Sequence, residues 1–225
     1  RSSDLRMPDG SLEIKARLCI RGFQDLQQDT LKTYSATASR QGQRLVNFIA
    51  ANRADFILFS CDVGAAFLKG LTFAELSKLT GEPLRSVQLD FPEGTVRLAR
   101  TFKEFENYDP LTHCLEMVRP GFGLKDAPRL WNMRVLQVME KLQMWATVSD
   151  AQLFCAWLEQ KLRVHKSPAV QEPEVEIECL ADKDALDNLK ICVSTHVDDF
   201  KGAATEEVAD AFMDVLENEF GKLTR

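Results

Sequence analysis

Three carboxylates stand where carboxylates are costly. Asp62 lies at the carboxyl end of the apolar run Asp55 to Val63, and Asp198 and Asp199 sit between the apolar runs Lys190 to His196 and Phe200 to Ala204. A charge beside buried positions is kept only when it is paired or bound to metal. Two strand ends placed side by side would make a carboxylate cluster of the hard-oxygen kind that Mg²⁺ takes. Two such ions about 4 Å apart can activate an attacking 3′-hydroxyl and stabilise a leaving pyrophosphate in an in-line displacement. The plainer alternative stays open at this point, because Asp is also at home in an ordinary hairpin turn.

The elements that must position these acids can be read from periodicity. Leu12 to Ile20 alternates and predicts a half-buried strand with Lys15 and Arg17 on one face, roughly 7 Å apart at two residues' rise. Leu45 to Ala54 has helical spacing, with Leu45, Phe48 and Ile49 as its apolar stripe. Asp55 to Val63 reads as a buried strand. Phe73 to Leu79 reads as a short helix closed by Gly81, and Gln88 to Gly94 as a strand entering a turn. Pro128 suits the first turn of a long amphipathic helix reaching Met144. Leu153 to Leu158 is strand-like. Lys190 to Ala204 predicts a hairpin with the Asp pair at its tip, and Thr205 is expected to cap a helix with Val208, Phe212, Val215, Leu216 and Phe220 inward. Residues 165–189, with two prolines and alternating Glu174, Glu176 and Glu178, read as an exposed acidic insertion. This order predicts an α+β fold, with helices packed on one face of an antiparallel sheet.

Composition narrows the class. The 225 residues suffice for one sizeable domain or two subdomains, and 45% apolar content excludes wholesale disorder. The longest apolar stretch, around Phe56 to Phe59, is too short to cross a bilayer, and nothing near Arg1 resembles a signal peptide. A chain that opens without Met reads as a piece of a longer polyprotein. Six scattered cysteines form no C-x-x-C pair, and Cys19, Cys61, Cys155 and Cys192 in apolar runs are expected to be reduced core thiols. A net charge of −6 argues against general nucleic-acid binding, but its distribution is uneven. Residues 1–53 hold nine Lys/Arg against five Asp/Glu, 119–141 five against two, and 196–225 three against eight. A fold joining the first two segments would set a basic face beside an acidic pole.

Six ordered segments carry a family resemblance. CDVGAAFLKG (61–70) resembles the first catalytic block of reverse transcriptases, and THVDDFKGA (195–203) resembles their aspartate-pair hairpin. GFGLKDAPRLW (121–131) is similar to the block that follows the fingers in copia-type retrotransposon enzymes. KARLCIRGF (15–23), YSATASRQGQRLVNFIAA (34–51) and SDAQLF (149–154) fit the same type in the same order. The resemblance covers most of the chain from Lys15 to Asp199.

It implies reverse-transcriptase-like fingers (about 10–55 and 85–125) and a ferredoxin-like palm (56–84 and 126–225), forming one domain without thumb or ribonuclease H. It implies an RNA-directed DNA polymerase using two Mg²⁺, with Mn²⁺ able to substitute. Asp62 and Asp198 would ligate both ions, Asp199 would support them, and the Val63 carbonyl would complete a shell. Phe67 would lie under the incoming sugar and exclude a 2′-hydroxyl by volume, although on spacing alone it is an ordinary core ring. Lys15 and Arg17 would grip the triphosphate, or else mark a solvent-facing strand edge. Gly123 and Lys125 would pack against template and nucleotide. His196 stands at the primer end where the family usually carries Tyr. The implied partners are a template–primer, deoxynucleotides, and the integrase and ribonuclease H segments of a retrotransposon polyprotein. The implied setting is a cytoplasmic virus-like particle and the nucleus, with no membrane. The segments 71–86 and 165–189 are longer than the family pattern. Two other readings remain: a catalytically silent retroelement-derived domain that at most binds nucleic acid, and a ferredoxin-like nucleotide cyclase, which would leave GFGLKDAPRLW unexplained.

Overall fold

The computed structural model describes residues 18–92, 94–158 and 186–224 in full, and the backbone alone of 3–6, 12–15, 163–165, 174–176 and 184–185. In chain order the elements are β1 (Ser3–Arg6), β2 (Leu12–Lys15), α1 (Arg40–Asn52), β3 (Ile57–Val63), α2 (Phe73–Thr80), β4 (Gln88–Leu89), α3 (Val96–Ala99), β5 (Leu115–Glu116) and α4 (Ala127–Lys141). There follow β6 (Trp145–Ala146), β7 (Leu153–Trp157), β8 (Arg163–His165), β9 (Glu174–Glu176), α5 (Asp184–Asp187), β10 (Leu189–His196), β11 (Asp199–Ala204), α6 (Glu206–Phe220) and β12 (Leu223–Thr224). The fold is α+β. No described helix is long and apolar enough to cross a membrane.

The chain divides into two compact units, one of residues 1–35 and 67–134, the other of 36–66 and 135–225. These limits differ from the expected division at 55, 84 and 125, for reasons of packing. Val46 and Ile49 of α1 are buried in the second unit's core. Phe73 and Leu76 of α2 are buried in the first unit with Leu71, Val87, Leu124 and Leu130.

The second unit is built on a six-stranded antiparallel sheet in the order β12-β3-β11-β10-β7-β6. Its registers show that both faces are covered, which corrects the expectation of helices on one face. Ala203 stands opposite Leu58 and Cys192, and Cys192 opposite Cys155. Ala203, Cys192 and Cys155 pack under α1 with Val46 and Ile49. The alternate positions point the other way, since side chains switch faces at each strand residue. There Phe59 and Phe200 meet Phe212 of α6, at ring separations of 5.8 and 6.5 Å. Gly202 sits opposite Phe59, and a Cβ there would come within 2.2 Å of that ring. The Cys155 and Cys192 sulfurs are 3.5 Å apart, and the thiol–thiol hydrogen bond together with burial pushes the Cys192 thiol up. Cys19, expected in the core, is exposed.

Helix α1 starts earlier than periodicity suggested and turns a different stripe inward. Gly42, Val46 and Ile49 are buried, whereas Leu45 is 43% and Phe48 57% exposed. Its N-terminus is tied from two sides. The Ser39 hydroxyl accepts from the Gly42 amide, and the Ser39 amide donates to Asp150 Oδ2, both at 2.9 Å. A Cβ on Gly42 would lie 2.4 Å from that same oxygen, so the glycine face must be the inner one. Helix α6 follows Thr205, whose backbone has cap conformation but whose side chain makes no cap hydrogen bond.

In the first unit, β1 pairs with β2 and β4 with β5. The predicted strand 88–94 is thus cut to two residues, and strand structure after Lys15 does not extend to 18–20. Helix α2 has a reciprocal Thr72–Glu75 capping box and ends on Gly81 at φ 70°. Arg85 is almost fully buried between two acids, with its guanidinium donating to Asp25 at 2.6 Å and its Nε 2.9 Å from Asp126. The acidic insertion predicted over 165–189 falls mostly outside the described residues; within it the β9 backbone pairs antiparallel with β8.

Candidate metal centre

The tight β10–β11 connection places the Asp pair. His196 pairs with Asp199, which leaves Val197 and Asp198 as a two-residue turn. Val197 adopts φ 57°, a region that a β-branched residue enters at a cost of about 1–3 kcal/mol. On its other edge β11 pairs with β3, and Asp199 stands directly opposite Asp62. The Val63 amide donates to the Asp198 carbonyl at 3.0 Å, which ties the turn to the end of β3. Because the N–H and C=O of one strand residue point to the same edge, the Val63 carbonyl also lies on the hairpin side.

As a result one carboxylate oxygen from each of Asp62, Asp198 and Asp199 lies within 4.8 Å of the others. Asp62 is half-buried and Asp199 exposed. No described Lys or Arg forms an ion pair with Asp198 or Asp199. Three like charges this close repel one another. Three hard oxygen donors that converge at solvent fit a divalent cation such as Mg²⁺ or Mn²⁺. His196 is exposed at the same strand end.

The remaining expected residues belong to the first unit. The Phe67 ring is half-buried and packs edge-on against Phe122, with centroids 5.7 Å apart. Gly123 has φ 98°, and a Cβ on it would lie 2.0 Å from the Ile20 carbonyl oxygen, while one on Gly22 would lie 2.0 Å from the Gly123 oxygen. The close approach that demands glycine here is therefore made by the chain's own backbone. Lys125 is exposed. Lys15 pairs with Ser3 in backbone register, and its side chain, like all of Arg17, lies outside the described residues.

Sequence reasoning missed two buried polar devices. Asp150 is 9% exposed. Burial raises its carboxyl, but hydrogen bonds from Ser39 and Gln152 outweigh that and hold it below the usual carboxylate range. The Arg85 site is the second, where burial pushes the Asp126 carboxyl up despite the guanidinium beside it. Asp126 follows Lys125 directly, yet its partner lies 41 residues away, and no local pattern signals such a pair. Neither a protein-family model, nor a curated protein, nor a solved structure matches this chain.

Proposed function

We propose that this chain is the catalytic portion of an RNA-directed DNA polymerase of the copia retrotransposon type, joining deoxynucleotides to a primer 3′-hydroxyl. The observation that carries the reading is the convergence of Asp62, Asp198 and Asp199 within 4.8 Å. These are the acids that the resembling blocks CDVGAAFLKG and THVDDFKGA assign to metal binding. Asp62 and Asp198 would hold two Mg²⁺, with Asp199 and the Val63 carbonyl beside them. When bound, the ions supply activation of the 3′-hydroxyl and charge stabilisation of the departing pyrophosphate. The protein's part is to hold the carboxylates in one arrangement. It does so through the β3–β11 register and the Val63–Asp198 hydrogen bond. His196, exposed at the same strand end, would lie against the primer end.

Primer extension on oligo(dT)-primed poly(rA), with Mg²⁺ and then Mn²⁺, tests this. Incorporation by the wild type should vanish in Asp198→Ala, and unchanged incorporation in that variant overturns the reading. A second reading, a catalytically silent retroelement-derived domain, is favoured by His196 at a position where the resembling family usually carries Tyr. It expects no incorporation by folded wild type, and its first discriminating variant is His196→Tyr.

A further inference from the structure

The sheet face that bears the carboxylates carries a second feature. Asp62 and Asp199 share a face with Leu58 and Ala203, since each pair is separated by an even number of strand residues. That is the face on which α1 packs. The helix lies with its first turn toward the acids. Ser39 is bonded to Asp150, next to Gln152, and Gln152 bonds Thr195, one residue before His196. At the other end of α1, its C-cap Arg53 lies over the Phe56 ring and donates to the Leu186 carbonyl, beside the far ends of β3 and β10.

Helix α1 has no acidic residue. Its outer side presents Arg40, Gln41, Arg44, Leu45 and Phe48, all exposed. Arg40 and Arg44 are neighbours at i, i+4, and neither is in an ion pair with a described residue. Between helix and carboxylates stands Lys201, half-buried, opposite Ser60 and Ser194 and two residues from Asp199 on the same face. The opposite face is acidic at its helix, where one of the acids, Glu219, is paired with Lys141 of α4. Its helix α6 carries Glu206, Glu207, Asp210, Asp214, Glu217 and Glu219 and no Lys or Arg. In a chain of net charge −6, the helix on the face of the candidate metal centre thus bears cations and no acid, and the helix on the opposite face bears acids and no cation.

We propose that the outer face of α1 together with Lys201 is a track for the phosphodiester backbone of a nucleic-acid duplex leading to the carboxylates. Arg40, Arg44 and Lys201 would meet phosphates, and Phe48 would pack on sugar. Charge complementarity selects a polyanion, and the choice of a primer–template as that polyanion rests on the polymerase reading. Such contacts are independent of sequence and salt-dependent, because each neutralised phosphate releases counterions.

The test is fluorescence anisotropy with a fluorescein-labelled 24-base-pair RNA–DNA hybrid in EDTA, over a range of KCl. The triple variant R40Q/R44Q/K201Q should bind at least tenfold more weakly at low salt, and its log Kd against log salt slope should fall by roughly 2–3, near 0.9 per lost phosphate contact. F48A should weaken binding without changing the slope. E207Q/D210N on α6 should change neither. Urea unfolding midpoints near wild type keep loss of fold from imitating the result. A Kd within twofold of wild type, an unchanged slope, no wild-type binding, or equal binding of poly-glutamate each overturns the proposal. Hybrid binding through α1 without incorporation would leave the track standing and remove the polymerase. Incorporation with hybrid affinity unaffected by the triple variant would do the reverse.

Discussion

Replacing Asp198 by Asn should stabilise the cation-free protein and, on the proposed polymerase reading, abolish incorporation. The carboxylate oxygens of Asp62, Asp198 and Asp199 lie within 4.8 Å of one another. At that separation each pair of unit charges repels by about 0.9 kcal/mol in the full dielectric of water and by about 3.5 kcal/mol at an effective dielectric near 20. Salt at physiological strength removes roughly half of the smaller figure. Asn keeps the shape and deletes two of the three repulsions, so the expected gain is about 1–2 kcal/mol at this solvent-facing site. For a chain of this size that raises Tm by roughly 2–4 °C per kcal/mol. The assay is thermal unfolding by circular dichroism in EDTA, then in 10 mM MgCl₂. Asp198→Asn should melt above wild type in EDTA. Mg²⁺ should raise wild type and leave the variant nearly unmoved, because a ligand bound by the folded state alone stabilises that state. Asp210→Asn on α6 serves as the control and should stay within about 0.5 kcal/mol of wild type in both buffers. If Asp198→Asn melts at or below wild type in EDTA and Mg²⁺ leaves wild type unshifted, the three carboxylates are not a cation site.

Two further outcomes follow from the first unit. Gly123→Ala should cost about 3 kcal/mol or more, because it combines left-handed strain with overlap on backbone. Gly81→Ala, at φ 70° with nothing within 4 Å of the new Cβ, should cost only about 1–2 kcal/mol. Urea midpoints of the two variants compare them directly. Glu82 receives both arms of Arg129 at 2.8 and 2.9 Å and faces Lys32 at 3.1 Å. These partners, Arg129 first, hold its carboxyl at about 2 against the usual 4.5. A depressed carboxyl contributes stability that is complete above its unfolded value and is lost as pH falls through the folded one. Wild type should therefore lose urea resistance between about pH 4.5 and 2 more steeply than Glu82→Gln, and equal slopes would refute the assignment.

The sequence by itself determined what is local. Strand alternation and flanking apolar runs put Asp62 at a strand end and Asp198–Asp199 in a tight turn, because a pleated strand repeats every two residues and its ends show as breaks in that repeat. Gly81 was legible as a helix stop and Pro128 as a helix start, since each acts through its own backbone. Tertiary structure decided what depends on a distant partner. Periodicity chose Leu45, Phe48 and Ile49 as the inner stripe of α1, but Asp150, more than a hundred residues on, leaves room only for Gly42 on that side, so Leu45 and Phe48 face out. The sheet takes helices on both faces because Cys192 and Ala203 present a small apolar surface that α1 fills opposite α6. Gly123 is required by Ile20, and Arg85 is buried only because Asp25 and Asp126 meet it. Even the carboxylate cluster depends on the pairing of β11 with β3. A one-residue slip would turn Asp62 to the opposite face from Asp199, and only the packed sheet selects that register.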